Sequence, residues 1–305
     1  MSEITERDRK AMDSQPHLSS NRKSGQPRAF IAQLVRAHTL PAFFIIGAQK
    51  AGTTSLASYL AAHPCVVSPK WKEVHFFDLN YAKGIEWYRS HFPIGGRRRL
   101  GSHLRRRRLL AFDATPYYIF HPQTASRVSR AIPNARMIVL LRDPVDRAYS
   151  HYHHEVRLGN ENLSFGDALK EETTRLAGEA QRFESEPFYE SFSYQHFSYL
   201  ARGVYSDQLN RWLEYFQPHQ FLILSSEMFF ENPANEYRRV LKFLGLPPWE
   251  LRSYRPEHVG SYRPMPQTTR DCLLEYYAPH NRALRHHLNS IWPGTGNEIV
   301  DRFAG

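Results

Sequence analysis

A chain of 305 residues, 41% hydrophobic and 23% charged, has the balance of a globular protein and the length for one large domain or two small ones. Lys and Arg outnumber Asp and Glu by ten (40 against 30), so the surface is basic and favours anionic partners without choosing among them. Two cysteines without CxxC or metal-ligand spacing argue against a disulfide framework and a zinc cluster, and no apolar run reaches the ~18 residues of a membrane-spanning helix.

Residues 1–28 are rich in Ser, Arg, Lys, Asp and Gln and read as a disordered basic leader rather than a signal peptide. With two cysteines outside any framework, this fits a soluble protein of the reducing cytoplasm. The folded domain is expected over 40–305. From Ala42, "AFFIIGA" is a short apolar run ending in glycine, the pattern of a buried parallel strand. "TTSLASYLAAHP" follows with helical spacing, Leu56, Tyr59 and Leu60 on one side and a stop at Pro64. Further strands are predicted at Leu109–Thr115, Met137–Leu141 and Phe221–Glu227. Helices are predicted at Gln123–Ala131, Pro144–Leu158, Ser206–Tyr215 and Pro233–Leu244. The alternation predicts a single α/β domain, with a central parallel sheet flanked by helices on both faces.

The first strand and helix enclose Gly47-Ala-Gln-Lys-Ala-Gly52-Thr53-Thr54, which has the glycine spacing of a phosphate-binding loop. Glycines let the backbone approach a phosphate, and the helix that follows offers its positive N-terminal end. Thr53 stands where nucleotide triphosphatases carry lysine, and Lys50 lies inside the loop. "IVLLRD" ends in Arg142, with Asp143 ahead of a proline, so no strand end presents an obvious Mg²⁺ carboxylate. The loop therefore reads as a grip on a terminal phosphate without a metal.

Two further stretches are "KEVHFFDLNYAKGIEWY" (Lys72–Tyr88) and "VLLRDPVDRAYSHYHHEVRLGNENLSFGDAL" (Val139–Leu169). In order with the loop, they resemble the sulfotransferases that use 3′-phosphoadenosine 5′-phosphosulfate (PAPS). The likeness is closest to the glycan-modifying branch, which includes the heparan sulfate sulfotransferases and bacterial relatives, and runs from about Ala42 to about Leu288. The resemblance implies a P-loop NTPase-like α/β fold around the central parallel sheet, and sulfuryl transfer to a hydroxyl or amine of a glycan or small molecule, with 3′-phosphoadenosine 5′-phosphate (PAP) as product and no metal. It implies that Lys50 neutralises charge on the bridging oxygen, and that Ala51, Gly52, Thr53, Thr54 and Ser55 cradle the 5′-phosphate. Arg142 and Ser150 match the pair that binds the 3′-phosphate. Glu73 matches the general base, with His75 and Asp78 orienting or polarising that site. On an extended segment Glu73 and His75 share a face. The ordinary pKa of His75 makes it the competing base. "HVGSYRPMP" (His258–Pro266) resembles a loop that closes over PAPS through Arg263, with Tyr262 and Ser261 as weaker matches.

The chain also departs from that pattern. Ala114 stands where heparan-type members carry a lysine, which leaves Asp113 to line the cleft. Arginines at 97–99 and 105–108 read either as a dock for a polyanionic acceptor or as a solvated hairpin. No aromatic platform is interleaved with them, so nucleic acid is not an expected partner. "HYHHE" (His151–Glu155) reads as a helix face near the 3′-phosphate rather than a zinc site. Gly159–Arg202 has few periodic apolar positions and reads as a lid or acceptor-binding region. Arg202, Gly203 and Tyr205 are candidates to touch nucleotide or acceptor, and "YYAPHNRAL" (Tyr276–Leu284) resembles the family's final helix. The alternative functions are an atypical nucleotide kinase and a non-catalytic anion- or glycan-binding protein.

Overall fold

The apolar run after Ala42 is the middle of the sheet. Phe43–Gly47 (β1) is buried at every residue, which requires cover on both faces and explains why the run is apolar throughout rather than alternating. The computed structural model describes residues 39–93, 109–257 and 262–303. Among these, β1, Val66–Val67 (β2), Leu110–Ala114 (β3), Arg136–Leu141 (β4) and Phe221–Ser225 (β5) form one parallel sheet in the order β2-β3-β1-β4-β5. Phe43 pairs with Phe112 on one side and Arg136 on the other. The strand order reverses at β1, so the crevice for a ligand is expected at the carboxyl ends of β1 and β4.

Helices flank the sheet: α1 (Thr53–Ala61), α2 (Gly84–Arg89), α3 (Thr124–Ala131), α4 (Pro144–Leu158), α5 (Phe165–Arg175), α6 (Glu179–Ser185), α7 (Phe192–His196), α8 (Tyr205–Leu213), α9 (Ser226–Glu231), α10 (Pro233–Leu244), α11 (Gln267–Ile291) and α12 (Thr295–Val300). No helix among the described residues is long and apolar enough to cross a membrane. The single α/β domain anticipated from the strand–helix alternation is the one observed. α4 and α10 have the predicted bounds, because each opens on a capped proline and closes on a left-handed glycine, Gly159 and Gly245.

Several expectations need correction. The segment 159–202, poor in periodic apolar positions, nevertheless contains α5, α6 and α7, and its Gln195, His196 and Arg202 line the cleft described below. Polar surfaces hid these helices, and Ser164 and Ser191 cap two of them. The "YYAPHNRAL" stretch lies within α11, and α12 follows it, so it is not the final helix. The predicted strand to Glu227 stops at Ser225, whose hydroxyl caps α9 through the Met228 N–H at 3.2 Å. Asp113 does not line a cleft. It is fully buried at the end of β3, where Tyr88, Tyr118 and Thr115 donate hydroxyl hydrogen bonds to it at 2.9, 2.9 and 2.7 Å. The basic leader, both arginine clusters and Ser261 lie outside the described residues.

Candidate active site

A cleft of about 790 Å³ opens beyond the carboxyl ends of β1, β4 and β5. Its floor is the loop between β1 and α1. That loop is tied to β4 by the Ala48 N–H on the Leu140 carbonyl (2.7 Å), and it turns through left-handed conformations at Lys50 (φ 70) and Gly52 (φ 93). A Cβ at Gly52 would lie 2.8 Å from the Phe230 ring, so backbone and neighbour both require glycine there. Gly52, Thr53 and Thr54 line the cleft where α1 begins, and the first N–H groups of a helix have no partner within it.

Arg142 leaves the end of β4 directly into this space. Its guanidinium donates to the Lys50 carbonyl at 3.0 Å, and its own carbonyl accepts from the Tyr205 hydroxyl at 2.9 Å. Asp143 then caps α4, accepting from the Val145 N–H at 2.7 Å. The helix therefore starts at the cleft, and one of its faces borders it: Asp146, Ser150, His154 and Arg157 all line the cleft at helical spacing. Burial, followed by the nearby Arg157 and Arg142, lowers the Lys50 pKa from its ordinary value.

On the opposite wall stand Glu73 and His75. They meet, but not as neighbours on an extended strand: His75 has φ 51, and Val74 between them points into the core. The left-handed turn brings His75 Nε2 to 3.3 Å from Glu73 Oε2, while His75 Nδ1 lies 2.8 Å from the buried carboxylate of Asp78. On the other side Lys72 Nζ is 2.8 Å from Glu73 Oε1 and 2.6 Å from Thr54 Oγ1. Burial opposes charge on His75, but the hydrogen bonds it donates to the Asp78 and Glu73 carboxylates push its pKa up to about 10. Burial likewise works to raise the pKa of Glu73, yet the contacts from His75 and Lys72 hold it down to about 2. Both shifts favour an imidazolium beside a carboxylate, and a doubly protonated ring has no lone pair for a proton, which favours Glu73 over His75 as the proton acceptor.

The remaining predicted residues divide. Tyr262 lines the cleft and stacks on His153 (centroids 4.4 Å apart, 8° between planes). Arg263 is exposed and does not line the cleft; its carbonyl accepts from the Tyr149 hydroxyl at 3.0 Å. Ala51 is fully buried in the core, and Ser55 is buried with its hydroxyl accepting from the Glu257 N–H at 2.8 Å, so these side chains support the loop instead of lining the cleft. Arg202 does line it, donating to Gln49 Oε1 at 2.6 Å and lying 4.6 Å over the Tyr117 ring, whereas Gly203 and Tyr205 are buried away from it. In the "HYHHE" stretch, Glu155 is a buried partner of His196 (2.8 Å) and His151 (3.3 Å), and only His154 and Glu155 reach the cleft.

Sequence reasoning missed Lys72, Gln49, Arg157 and His196 as cleft residues. For Arg157 a signal existed, because it continues the helical face of Ser150 and His154. For Lys72 the only signal was its adjacency to Glu73. Together the cleft offers helix N–H groups, two lysines and three arginines for anionic oxygens, opposite a carboxylate able to accept a proton.

The chain matches the sulfotransferase domain family over residues 40–258. It is 28% identical to the membrane-associated sulfotransferase kil1 of Dictyostelium discoideum, an alignment that covers 87% of this chain and 68% of that protein. It is 31% identical to the human bifunctional heparan sulfate N-deacetylase/N-sulfotransferase 3, covering 83% of this chain but only 30% of that protein's length. The crystal structure of a sulfotransferase from Alicyclobacillus acidocaldarius superposes with a TM-score of 0.59 at 30% identity, covering 83% of this chain and 96% of the other.

Proposed function

Because the chain belongs to the sulfotransferase domain family, whose enzymes depend on PAPS, we propose that it transfers the sulfuryl group of PAPS to a hydroxyl or amine of a glycan or small-molecule acceptor, with Glu73 as general base. The observation that carries this reading is the shared cleft: Lys50, Arg142 and Ser150 on the loop side face the same space as Glu73 and His75. PAPS supplies a sulfuryl group joined to a phosphate leaving group, and this anionic donor suits the residues present. Gly52, Thr53, Thr54 and the start of α1 would take the 5′-phosphate, as helix N-termini take anions. Arg142 and Ser150 would take the 3′-phosphate, the guanidinium offering paired N–H donors. Lys50 would neutralise the charge that builds on the bridging oxygen.

Glu73 would accept the acceptor's proton as its oxygen or nitrogen lone pair forms the new bond to sulfur. The old S–O bond breaks with its electron pair remaining on the phosphate, and PAP leaves. His75 would hold Glu73 in place and ionised. A carboxylate so strongly held is a weak base, so the proton moves late, when the attacking atom has become acidic through bonding to sulfur. Family membership sets the kinase alternative aside, and the reaction itself separates an enzyme from an anion-binding protein.

Calorimetric titration with PAP, ADP and ATP in metal-free buffer tests the donor site. Binding is expected to require the 3′-phosphate and to weaken roughly ten- to a hundredfold in Arg142→Ala, the loss of a charged hydrogen bond. No binding of PAP, or a preference for Mg²⁺-ATP, would overturn the reading. Transfer from labelled PAPS to a panel of glycans and phenolic or amine acceptors then identifies the second substrate.

A further inference from the structure

We propose that Lys72 is a positioning residue that couples the donor-binding loop to the base, one ammonium holding the Thr54 hydroxyl and the Glu73 carboxylate together. The inference rests on the reading of the cleft given above. Thr54 and Lys72 lie 18 residues apart, on α1 and on the segment that carries Glu73, and the ammonium spans the two at 2.6 and 2.8 Å. The Lys72 side chain is 38% exposed, and a surface ion pair of this kind adds little to stability. Its consequence is geometric. Because Lys72 donates to Thr54 Oγ1, the hydroxyl hydrogen of Thr54 is directed elsewhere, free for an anionic oxygen at the start of α1. Because Lys72 holds Oε1 of Glu73 while His75 faces Oε2, the carboxylate is gripped at both oxygens. The third ammonium hydrogen is left for a donor oxygen.

Competition follows from that arrangement. A sulfuryl or phosphate oxygen at the loop draws the ammonium toward itself and loosens its hold on Glu73, so the carboxylate becomes a better base when the donor is bound. The charged groups around Glu73 set the background. Lys72 and His75, with Asp78 behind the imidazole, lie on its own segment, Lys50 projects from the loop and His154 from α4. Removing Lys72 leaves the other cations in place.

The test follows the Glu73 carboxylate by ¹³C NMR in the full chain, its signal assigned by loss in Glu73→Gln, across pH with and without PAP. In Lys72→Met the midpoint is expected to rise by about one pH unit or more, as befits loss of an adjacent opposite charge. PAP should raise the midpoint more in the wild type than in Lys72→Met. With PAPS and an acceptor, kcat should fall about ten- to a hundredfold in Lys72→Met with a smaller change in KM for PAPS, and Lys72→Arg should recover part of it. An unmoved midpoint in Lys72→Met, or equal PAP-induced shifts in both proteins, overturns the coupling. The expected midpoints in a protein that transfers nothing from PAPS would support the coupling and overturn the sulfotransferase reading, so the two failures are distinct.

Discussion

At Glu73 and His75 chemistry is decided by partners that are local in sequence but unusual in geometry. Glu73→Gln keeps the shape and removes the base, so kcat for sulfuryl transfer should fall roughly 10²–10⁴-fold while PAP affinity by calorimetry is retained. Full activity in that variant would remove Glu73 from the role. The imidazolium of His75 has a folded pKa of about 10 against an ordinary 6.5. A raised pKa means that its contribution to stability is complete below about pH 6.5 and is lost as pH rises through about 10. The melting-temperature gap between wild type and His75→Gln should therefore be widest near pH 6 and close by pH 10; a gap independent of pH would contradict the charged pair. Glu73 and His75 were legible as a pair because they stand two apart within a recognisable stretch. The protonation state of His75 was not, because it depends on Asp78 turning back onto Nδ1 and on the left-handed turn at His75 itself.

Helix α4 shows how an element carries a site. Asp143 accepts the Val145 and Asp146 N–H groups, Pro144 follows in the first turn, and the helix that results carries Ser150, His154 and Arg157 along the cleft. Asp143→Ala should cost about 1 kcal/mol in denaturant unfolding, the usual worth of such a cap. It should also weaken PAP binding, since Arg142 precedes the cap and Ser150 follows it; an unchanged PAP affinity would show that the cap serves the helix alone. The bounds of α4 could be read because cap, proline and terminal glycine are local signals. Those of α5, α6 and α7 could not, because their order comes from distant partners. Glu172 on α5 accepts the N–H groups of Leu200 and Ala201 at 2.5 and 2.8 Å, and Glu161 binds Arg175 and the Tyr199 hydroxyl. No periodicity in the segment reports such contacts.

Across the whole molecule the core extends past the family match. That match ends at residue 258, yet Leu284, Leu288, Ile299, Val300 and Phe303 belong to the same buried cluster as β1 and β4. α11 and α12 are thus part of the domain's packing, and α12 lies against the edge strand β5. Leu288→Ala should cost ~2–5 kcal/mol in thermal or denaturant unfolding, the range for emptying a buried leucine site. A chain ending after residue 258 should lose cooperative melting, since it would expose the apolar faces that α11 and α12 cover. A truncated chain melting as sharply as the full one would place these helices outside the cooperative unit.

The parallel sheet, the glycine loop between β1 and α1 and the family could all be read from the chain alone. Each is written in short-range patterns: apolar runs ended by glycine, a glycine spacing with an internal lysine, and stretches in a fixed order. Which of the named residues share the cleft is set by packing in three dimensions. The fold turned Ser55 and Asp113 away from the cleft, left Arg263 outside its lining, brought in Gln49, Lys72 and Arg157, and placed the partners that bias the charges of Glu73 and His75. The physical reason is that a side chain's direction and its charge depend on what approaches it across space, and sequence spacing carries that information only within a single helix or turn.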